Sequence, residues 1–263
     1  QRLGMLGKES LEHLGGRVIW LHAASVGEVQ ALSPFLKLVS QLPNAPSIVL
    51  TTSTVSGRAH AVKLGTLTAV FLAPIDFLPC LWLFLKRLKP SALILAETEL
   101  WPMTLALCRG FKIPIAIING RLTAKAAWRY QWIRPLLYSS LKSITYACIQ
   151  SQEAALRFQA LGLNPQNLQI SGNMKYDQNL PPEDKVDTLR QKLRLLPWDN
   201  SLIWTAGSTR IGEEEIILEA FRTLYQTHRN LRLVLVPRHP ERCAEINELI
   251  AKANISSVSY SEL

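Results

Sequence analysis

Glu28 stands in HAASVGEV (22–29), directly after the apolar run RVIWL. The stretch reads as strand, glycine turn and helix start, a place where free N–H groups and the helix dipole favour an anion. Here the chain supplies its own anion. SVGE fits the capping box S-x-x-E, with Ser25 as the cap and Glu28 reaching back to it. The second reading makes Glu28 a catalytic base. Gly27 favours it, because glycine early in a helix costs about 0.5–1 kcal/mol relative to alanine. Something is therefore expected to approach the backbone there.

Two more carboxylates follow a later run. ETELWP (97–102) comes straight after five apolar residues. If the chain stays extended, Glu97 and Glu99 share a face, and each raises the other's proton affinity, which suits proton transfer. The plainer reading is one capping and one solvated glutamate. Pro102 suits a first helical turn, with Trp101 stapling it.

Cations sit at the same kind of position. In NGRLT (119–123), Asn-Gly signals a turn, and the planar fork of Arg121 suits a phosphate or carboxylate; a surface arginine on a turn fits equally. In GNMKYD (172–177), Lys175 is placed to neutralise a leaving phosphate or is simply a linker lysine. AGSTRIGEEE (206–215) is again strand, turn and helix start, where Ser208, Thr209 and the backbone suit a phosphate. It lacks the P-loop pattern GxxxxGK[ST]. VPRHPER (236–242) holds Arg238 and His239 on a loop stiffened by Pro237 and Pro240.

These stretches follow recurring β-branched runs: RVIWLH (17–22), SIVLTT (47–52), AVFLA (69–73), ALILAE (92–97), IPIAIIN (113–119), SITYACIQ (143–150) and LQISG (168–172). Helix-length segments such as 28–42 lie between them. Strands apolar on both faces and alternating with helices mean a parallel sheet covered by helices. Ligands bind beyond the carboxyl ends of such strands, where the polar residues fall. DQNLPPEDK (177–185) reads as a linker. Beyond it come a helix over 183–195, strands over 201–208 and 231–237, and helices over 213–226 and 241–253. The predicted organisation is two α/β domains, 1–176 and a truncated 186–263, facing across a cleft with Lys175 beside it. The chain starts at Gln1 and stops after SVSYSEL, so it is expected to be a fragment.

Composition narrows the classes. Apolar residues form 48% of 263, enough for a full core. Cys80, Cys108, Cys148 and Cys243 are dispersed with no CxxC, which argues against a zinc ribbon or redox motif and suits a reducing compartment. No HExxH and no D-x-D after a strand occurs, so no metal is expected. No secretory signal is visible, and no apolar run approaches the roughly 18–20 residues that cross a bilayer. FLPCLWLFLKRLK (77–89) reads as a buried helix ending in a basic turn. Net charge is +9, unevenly placed: Leu100 to Gln152 contains no Asp or Glu but Arg109, Lys112, Arg121, Lys125, Arg129, Arg134 and Lys142. Such a face suits an anionic partner. Within 121–142, Arg121, Lys125 and Arg129 repeat at i, i+4, as do Trp128 and Trp132. That fits a helix at a membrane interface, a surface stacking single-stranded RNA, or an amphipathic helix with a tryptophan core.

Taken in order, HAASVGE, ETELWP, NGRL, GNMKYD, GSTRIGEEE and VPRHPER resemble the 3-deoxy-D-manno-octulosonic acid (Kdo) transferases of Gram-negative lipopolysaccharide synthesis, over Arg17 to Arg242. The resemblance implies a GT-B glycosyltransferase of two Rossmann-like domains. It implies metal-independent, inverting transfer of Kdo from CMP-Kdo, a co-substrate, to the lipid A precursor. It also implies a place at the cytoplasmic face of the inner membrane, with 121–142 as docking face and no nucleic acid. Glu28 matches the catalytic base, and Glu97 and Lys175 match residues that stabilise the transition state. Pro237 and Arg238 match part of the CMP site, joined on the donor side by Ser208, Thr209 and His239. Ser25, Gly27 and Arg121 are the expected acceptor contacts.

The chain departs from the family pattern in three places. An apolar amino-terminal anchor and the later glycine-rich loop with its Asn-x-x-Glu helix are not in the sequence, and the usual YDLP-type turn is IDFLP (75–79). Three rivals stand: another GT-B enzyme using a UDP- or ADP-sugar, a non-catalytic fragment, and a basic nucleic-acid-binding module.

Overall fold

The structure is a computed structural model that describes residues 2–7, 11–12, 14–177, 186–187, 191 and 200–262. The expected linker over 177–185 and helix over 183–195 lie mostly outside the described residues. The chain divides into two compact units, Gln1–Asn179 and Leu180–Leu263.

The first unit is one seven-stranded sheet, every described pairing parallel, in the order β3-β2-β1-β4-β5-β6-β7. The strands are β1 (Val18–His22), β2 (Ser47–Thr52), β3 (Ala69–Leu72), β4 (Ala92–Ala96), β5 (Ile115–Gly120), β6 (Tyr146–Ile149) and β7 (Leu168–Ile170). All seven fall on the expected apolar runs. The first crossovers step one way from β1, and the later ones step the other way from β4. Helices therefore cover both faces.

One face is packed by α1 (Val26–Ala31), α2 (Ser33–Ser40) and α3 (Val55–Lys63), around Leu21, Val29, Leu36, Leu50 and Ala61. The other carries α4 (Leu78–Leu88), α5 (Pro102–Gly110), α6 (Ala124–Trp132), α7 (Arg134–Lys142) and α8 (Gln152–Leu161). Its core includes Trp20, Phe84, Leu93, Leu105, Leu141 and Phe158. Trp20 and Phe84 meet with ring centroids 4.9 Å apart, a tilted contact that adds to simple burial. Helix α4 falls on the predicted helix over 77–89 but is buried on one face only, with Phe77, Leu78 and Trp82 exposed; Lys89 in a left-handed conformation (φ 47) stops it. Cys108 is wholly inside, and burial pushes its thiol up to about 12, so it acts as a small core residue.

Two predicted helices are each a pair. The segment 28–42 breaks at Leu32, and 121–142 breaks at Ile133. Pro34 and Pro135 cause this, since proline has no N–H to continue a helix but fits the first turn of the next one.

The second unit pairs β8 (Leu202–Thr209) with β9 (Leu231–Pro237) in parallel. Helices α9 (Glu213–Thr227) and α10 (Cys243–Lys252) pack with them, burying Ala206, Leu218, Phe221, Leu231 and Ile246.

Phe84→Ala is expected to lower unfolding stability by about 3–5 kcal/mol, through the void left beneath Trp20. Phe111→Ala, at an exposed ring, is expected to change it by less than about 0.5 kcal/mol. Urea unfolding of the two variants checks the contrast.

Candidate functional site

The strand order reverses between β1 and β4. At such a point two adjacent loops leave in opposite directions and open a crevice. The loop after β1 carries Ser25, Gly27 and Glu28, and the loop after β4 carries Glu97 and Glu99.

Ser25 caps α1: its Oγ accepts from the Glu28 backbone N–H at 3.4 Å. The Glu28 side chain does not bind the Ser25 N–H, as the expected box would have it. One carboxylate oxygen accepts from the Ala24 N–H (2.7 Å), the other from the Ser25 hydroxyl (2.8 Å). Half-buried, the carboxyl is pushed above its ordinary value, first by desolvation and further by the charges of Glu99 and Glu97; the two hydrogen bonds pull the other way. Gly27 is exposed, and a Cβ there would meet nothing within 4 Å. No contact within the described chain demands a glycine, so the space above this turn is open.

Glu97 leaves β4 with φ 57, so the alternation expected of an extended ETE does not occur. The carboxylates diverge. Glu97 Oε1 lies 3.7 Å from the Lys175 Nζ. Glu99 Oε2 accepts from the Trp101 indole N–H at 2.7 Å and lies 3.6 Å from His22 Nε2. Burial alone would raise the Glu99 carboxyl, but His22 and Trp101 outweigh it and hold it below the ordinary value. The turn is pinned from α6, where the Tyr130 hydroxyl donates to the Thr98 carbonyl (3.0 Å).

Asp76, in the loop after β3, accepts from the N–H groups of Met103 and Thr104 and from the Thr104 hydroxyl. It caps α5 from outside that helix and so fixes Trp101. A cavity of about 240 Å³ lies between these loops, lined by Trp20, His22, Asp76, Leu95, Trp101 and Thr104 among others.

Asn119-Gly120 is not a free turn. It is the bulged end of β5, with Asn119 buried at φ 55 and its Oδ1 accepting from the Met174 N–H (3.0 Å). That bond ties down the short helical turn Met174–Asp177, which carries Lys175. A Cβ at Gly120 would press on the side chains of Ile149 and Ile117, so the position favours glycine. Arg121, next along, is exposed.

In the second unit β8 runs through Ser208 and Thr209, with Ser208 bulged at φ 61. Ser208, Arg238 and His239 are exposed, Pro237 is partly so, and Thr209 is buried. Thr209 cannot offer its side chain outward; its carbonyl accepts from the Arg238 N–H at 3.0 Å. The start of α9 is not the vacant anion site the sequence suggested. Glu213, Glu214 and Glu215 occupy its first turn, and Glu213 accepts from the Arg210 N–H. Fully buried Glu214 takes a two-pronged contact from Arg242 (2.9 and 3.3 Å), which fixes the PRHPER loop to the helix. Burial would raise the Glu214 carboxyl, but Arg242 overrides it and holds it low.

Trp128 and Trp132 are 62% and 75% exposed, edge to face at 5.8 Å, so the tryptophan-core reading is overturned. Leu136 and Tyr138 are exposed on α7, and the Arg134 guanidinium lies over the Tyr138 ring. Among the described residues no helix is long and apolar enough to cross a membrane, and no cluster of three His, Cys, Asp or Glu side chains is placed to hold a metal.

A doubly wound parallel sheet with acidic groups at its switch point, followed by a second α/β unit, has the fold of the GT-B class. A putative UDP-N-acetylglucosamine 2-epimerase from Listeria monocytogenes superposes with a TM-score of 0.62, over 92% of this chain and 67% of that one. Identity is 10%, so the likeness is one of fold. Sequence goes further: residues 1–178 match the 3-Deoxy-D-manno-octulosonic-acid transferase (kdotransferase) family, and the chain belongs to it. It is 35% identical to the 3-deoxy-D-manno-octulosonic acid transferase of Haemophilus influenzae, over 99% of this chain and 60% of that protein. Against the Chlamydophila psittaci enzyme of the same name it is 31% identical, over 94% and 57%. The chain thus spans well under two thirds of either relative.

Asp76→Ala removes the cap from α5 and is expected to lower stability by about 1–2 kcal/mol, read from the urea midpoint. The Glu214 carboxyl titrates lower folded than unfolded, so its contribution is complete above 4.5, its ordinary value, and drains away as pH falls through the depressed value. The second unit is expected to weaken below pH 4.5, and Glu214→Gln to flatten that dependence in thermal melts across an acid series.

Proposed function

We propose that the chain carries the acceptor side and part of the donor side of an inverting glycosyltransferase that moves Kdo from CMP-Kdo to the lipid A precursor. The observation that carries this reading is Glu28: half-buried, raised in proton affinity, at the carboxyl end of β1, below open space. Family membership supports the sugar.

The chemistry runs as follows. An acceptor hydroxyl attacks the anomeric carbon of Kdo from the face opposite CMP, and Glu28 takes its proton. The anomeric C–O bond breaks with its electron pair going to the CMP phosphate, as positive charge develops on the sugar. Glu97, held by Lys175, stabilises that positive charge, and Lys175 bears on the growing negative charge. In the second unit Ser208, Arg238 and His239, which are exposed, and Pro237, which is partly so, are assigned to the donor, with the CMP phosphate at Arg238. Ser25, Gly27 and Arg121 serve the acceptor, whose phosphates suit the exposed guanidinium.

The acceptor is a lipid, and the face carrying α6 and α7 suits its surroundings: an exposed tryptophan pair amid cations, the arrangement expected at the cytoplasmic face of an anionic inner membrane.

Glu28→Gln, in the full-length protein, is expected to cut transfer from CMP-Kdo by at least about 100-fold. The amide oxygen still accepts from the Ala24 N–H, so the unfolding midpoint stays within about 0.5 kcal/mol. A cap without catalysis gives retained transfer in Glu28→Gln, and a stability loss of about 0.5–2 kcal/mol only in Glu28→Ala. The base must be ionised, so wild-type activity is expected to fall with pH through a value above 4.5. Protection of the PRHPER loop by UDP and not CMP would move the assignment to another GT-B enzyme. Reversing Arg121, Lys125 and Arg129 to Glu is expected to weaken binding to anionic vesicles by at least about 100-fold, from about 1 kcal/mol per basic residue. RNA binding that survives the reversal would sink the membrane assignment.

A further inference from the structure

Below the three glutamates lies a buried polar layer that the roles assigned above leave unused. Trp20 and His22 are on β1, and Thr51 is the register partner of His22 on β2. The Trp20 indole N–H donates to Thr51 Oγ1 at 2.8 Å, and the same oxygen lies 2.9 Å from His22 Nδ1. All three residues are at most 4% exposed. The second ring nitrogen, Nε2, is buried without a hydrogen bond of normal length and faces Glu99 Oε2 at 3.6 Å.

Counting protons fixes the ring. Thr51 has one hydroxyl proton and two lone pairs, and the indole takes one lone pair. If the hydroxyl donates to Nδ1, the neutral imidazole carries its proton on Nε2. If Nδ1–H donates to the second lone pair, the hydroxyl turns to the Leu21 carbonyl at 3.5 Å. That would set a bare Nε2 lone pair against a carboxylate, which is repulsive, so the first arrangement is favoured. It places the ring proton on Nε2, directed at Glu99.

We infer that His22, oriented by Thr51, is a positioning residue that fixes the Glu99 carboxylate in the loop after β4, beside the loop after β1 that carries the Glu28 base. The inference rests on reading Glu28 as the base. His22 does not touch a reacting atom on this account; it acts through Glu99. With Glu99 held charged, its field favours the proton on Glu28 and strengthens that base. Other charged groups bear on the same place: Glu97 with Lys175, Tyr130 facing Glu99 from α6, and Arg2 and Asp76 lining the cavity that His22 floors.

The test is the pH profile of kcat/KM for transfer by the full-length protein. His22→Leu removes the Nε2 proton, so Glu99 protonates more readily and its field on Glu28 weakens. The acidic limb is expected to move at least half a unit toward lower pH, with kcat down about 10-fold or more and KM for CMP-Kdo within about twofold. His22→Gln, which can still present an N–H to Glu99, is expected to restore most of the rate. Thr51→Val, which removes the hydroxyl that orients the ring and also leaves the Trp20 N–H without its acceptor, should move the limb the same way and serves if His22→Leu does not fold. A limb that stays put in the folded variants, or equal loss in His22→Leu and His22→Gln, overturns the positioning role. Glu28→Gln assayed in parallel separates the two readings. Retained transfer removes the base assignment and this role with it; lost transfer beside an unmoved limb removes the positioning role alone.

Discussion

A parallel sheet buried on both faces leaves its strands almost nowhere to keep a charge. Val18, Trp20, Leu93 and Leu95 face one core, and Leu21 and Ala96 the other. The backbone is used up in the ladder. Polar side chains can therefore collect only where the strands stop. Among the central strands that is the crevice between β1 and β4, where the crossovers part. The position of Glu28, Glu97 and Glu99 follows from this constraint more than from any local preference of the residues.

Gathering carboxylates in one crevice creates repulsion that must be answered. The structure answers it unevenly. Glu97 has a lysine, and Glu99 has a histidine and an indole. Glu28 has only a hydroxyl and a backbone N–H. Neutral donors offset burial less than a cation does, so the cluster's excess proton affinity concentrates on Glu28. The second unit handles a buried acid differently. Glu214 is paired with a forked guanidinium, and the result is a fixed loop.

Much of this could be read in the chain. Apolar runs marked every strand to within about three residues, since strands buried on both faces leave an unbroken pattern. The polar loops that follow the strands were legible for the same reason. What escaped were effects of register and backbone handedness. The i, i+2 rule placed Glu97 and Glu99 on one face, but a single left-handed residue cancels it. Asn-Gly read as a turn and is a bulge, because β6 beside it continues the ladder. Trp128 and Trp132 read equally well as core or surface, because helical spacing does not say which stripe faces inward. The layer of Trp20, His22 and Thr51 left one faint trace, polar residues closing two otherwise apolar strands. Only pairing of β1 with β2 shows that they meet.

The left-handed backbone at Glu97 has an implication for how such a protein changes over time. A non-glycine residue in that conformation is strained by about 1–2 kcal/mol, and glycine or asparagine would relieve it. Selection for robustness alone, as in a thermal-resistance screen or a lineage freed from its substrate, would tend to discard the glutamate early. Under the role proposed for it, its loss in a related chain would thus mark a relaxed requirement for chemistry, and the fold would be no worse for it.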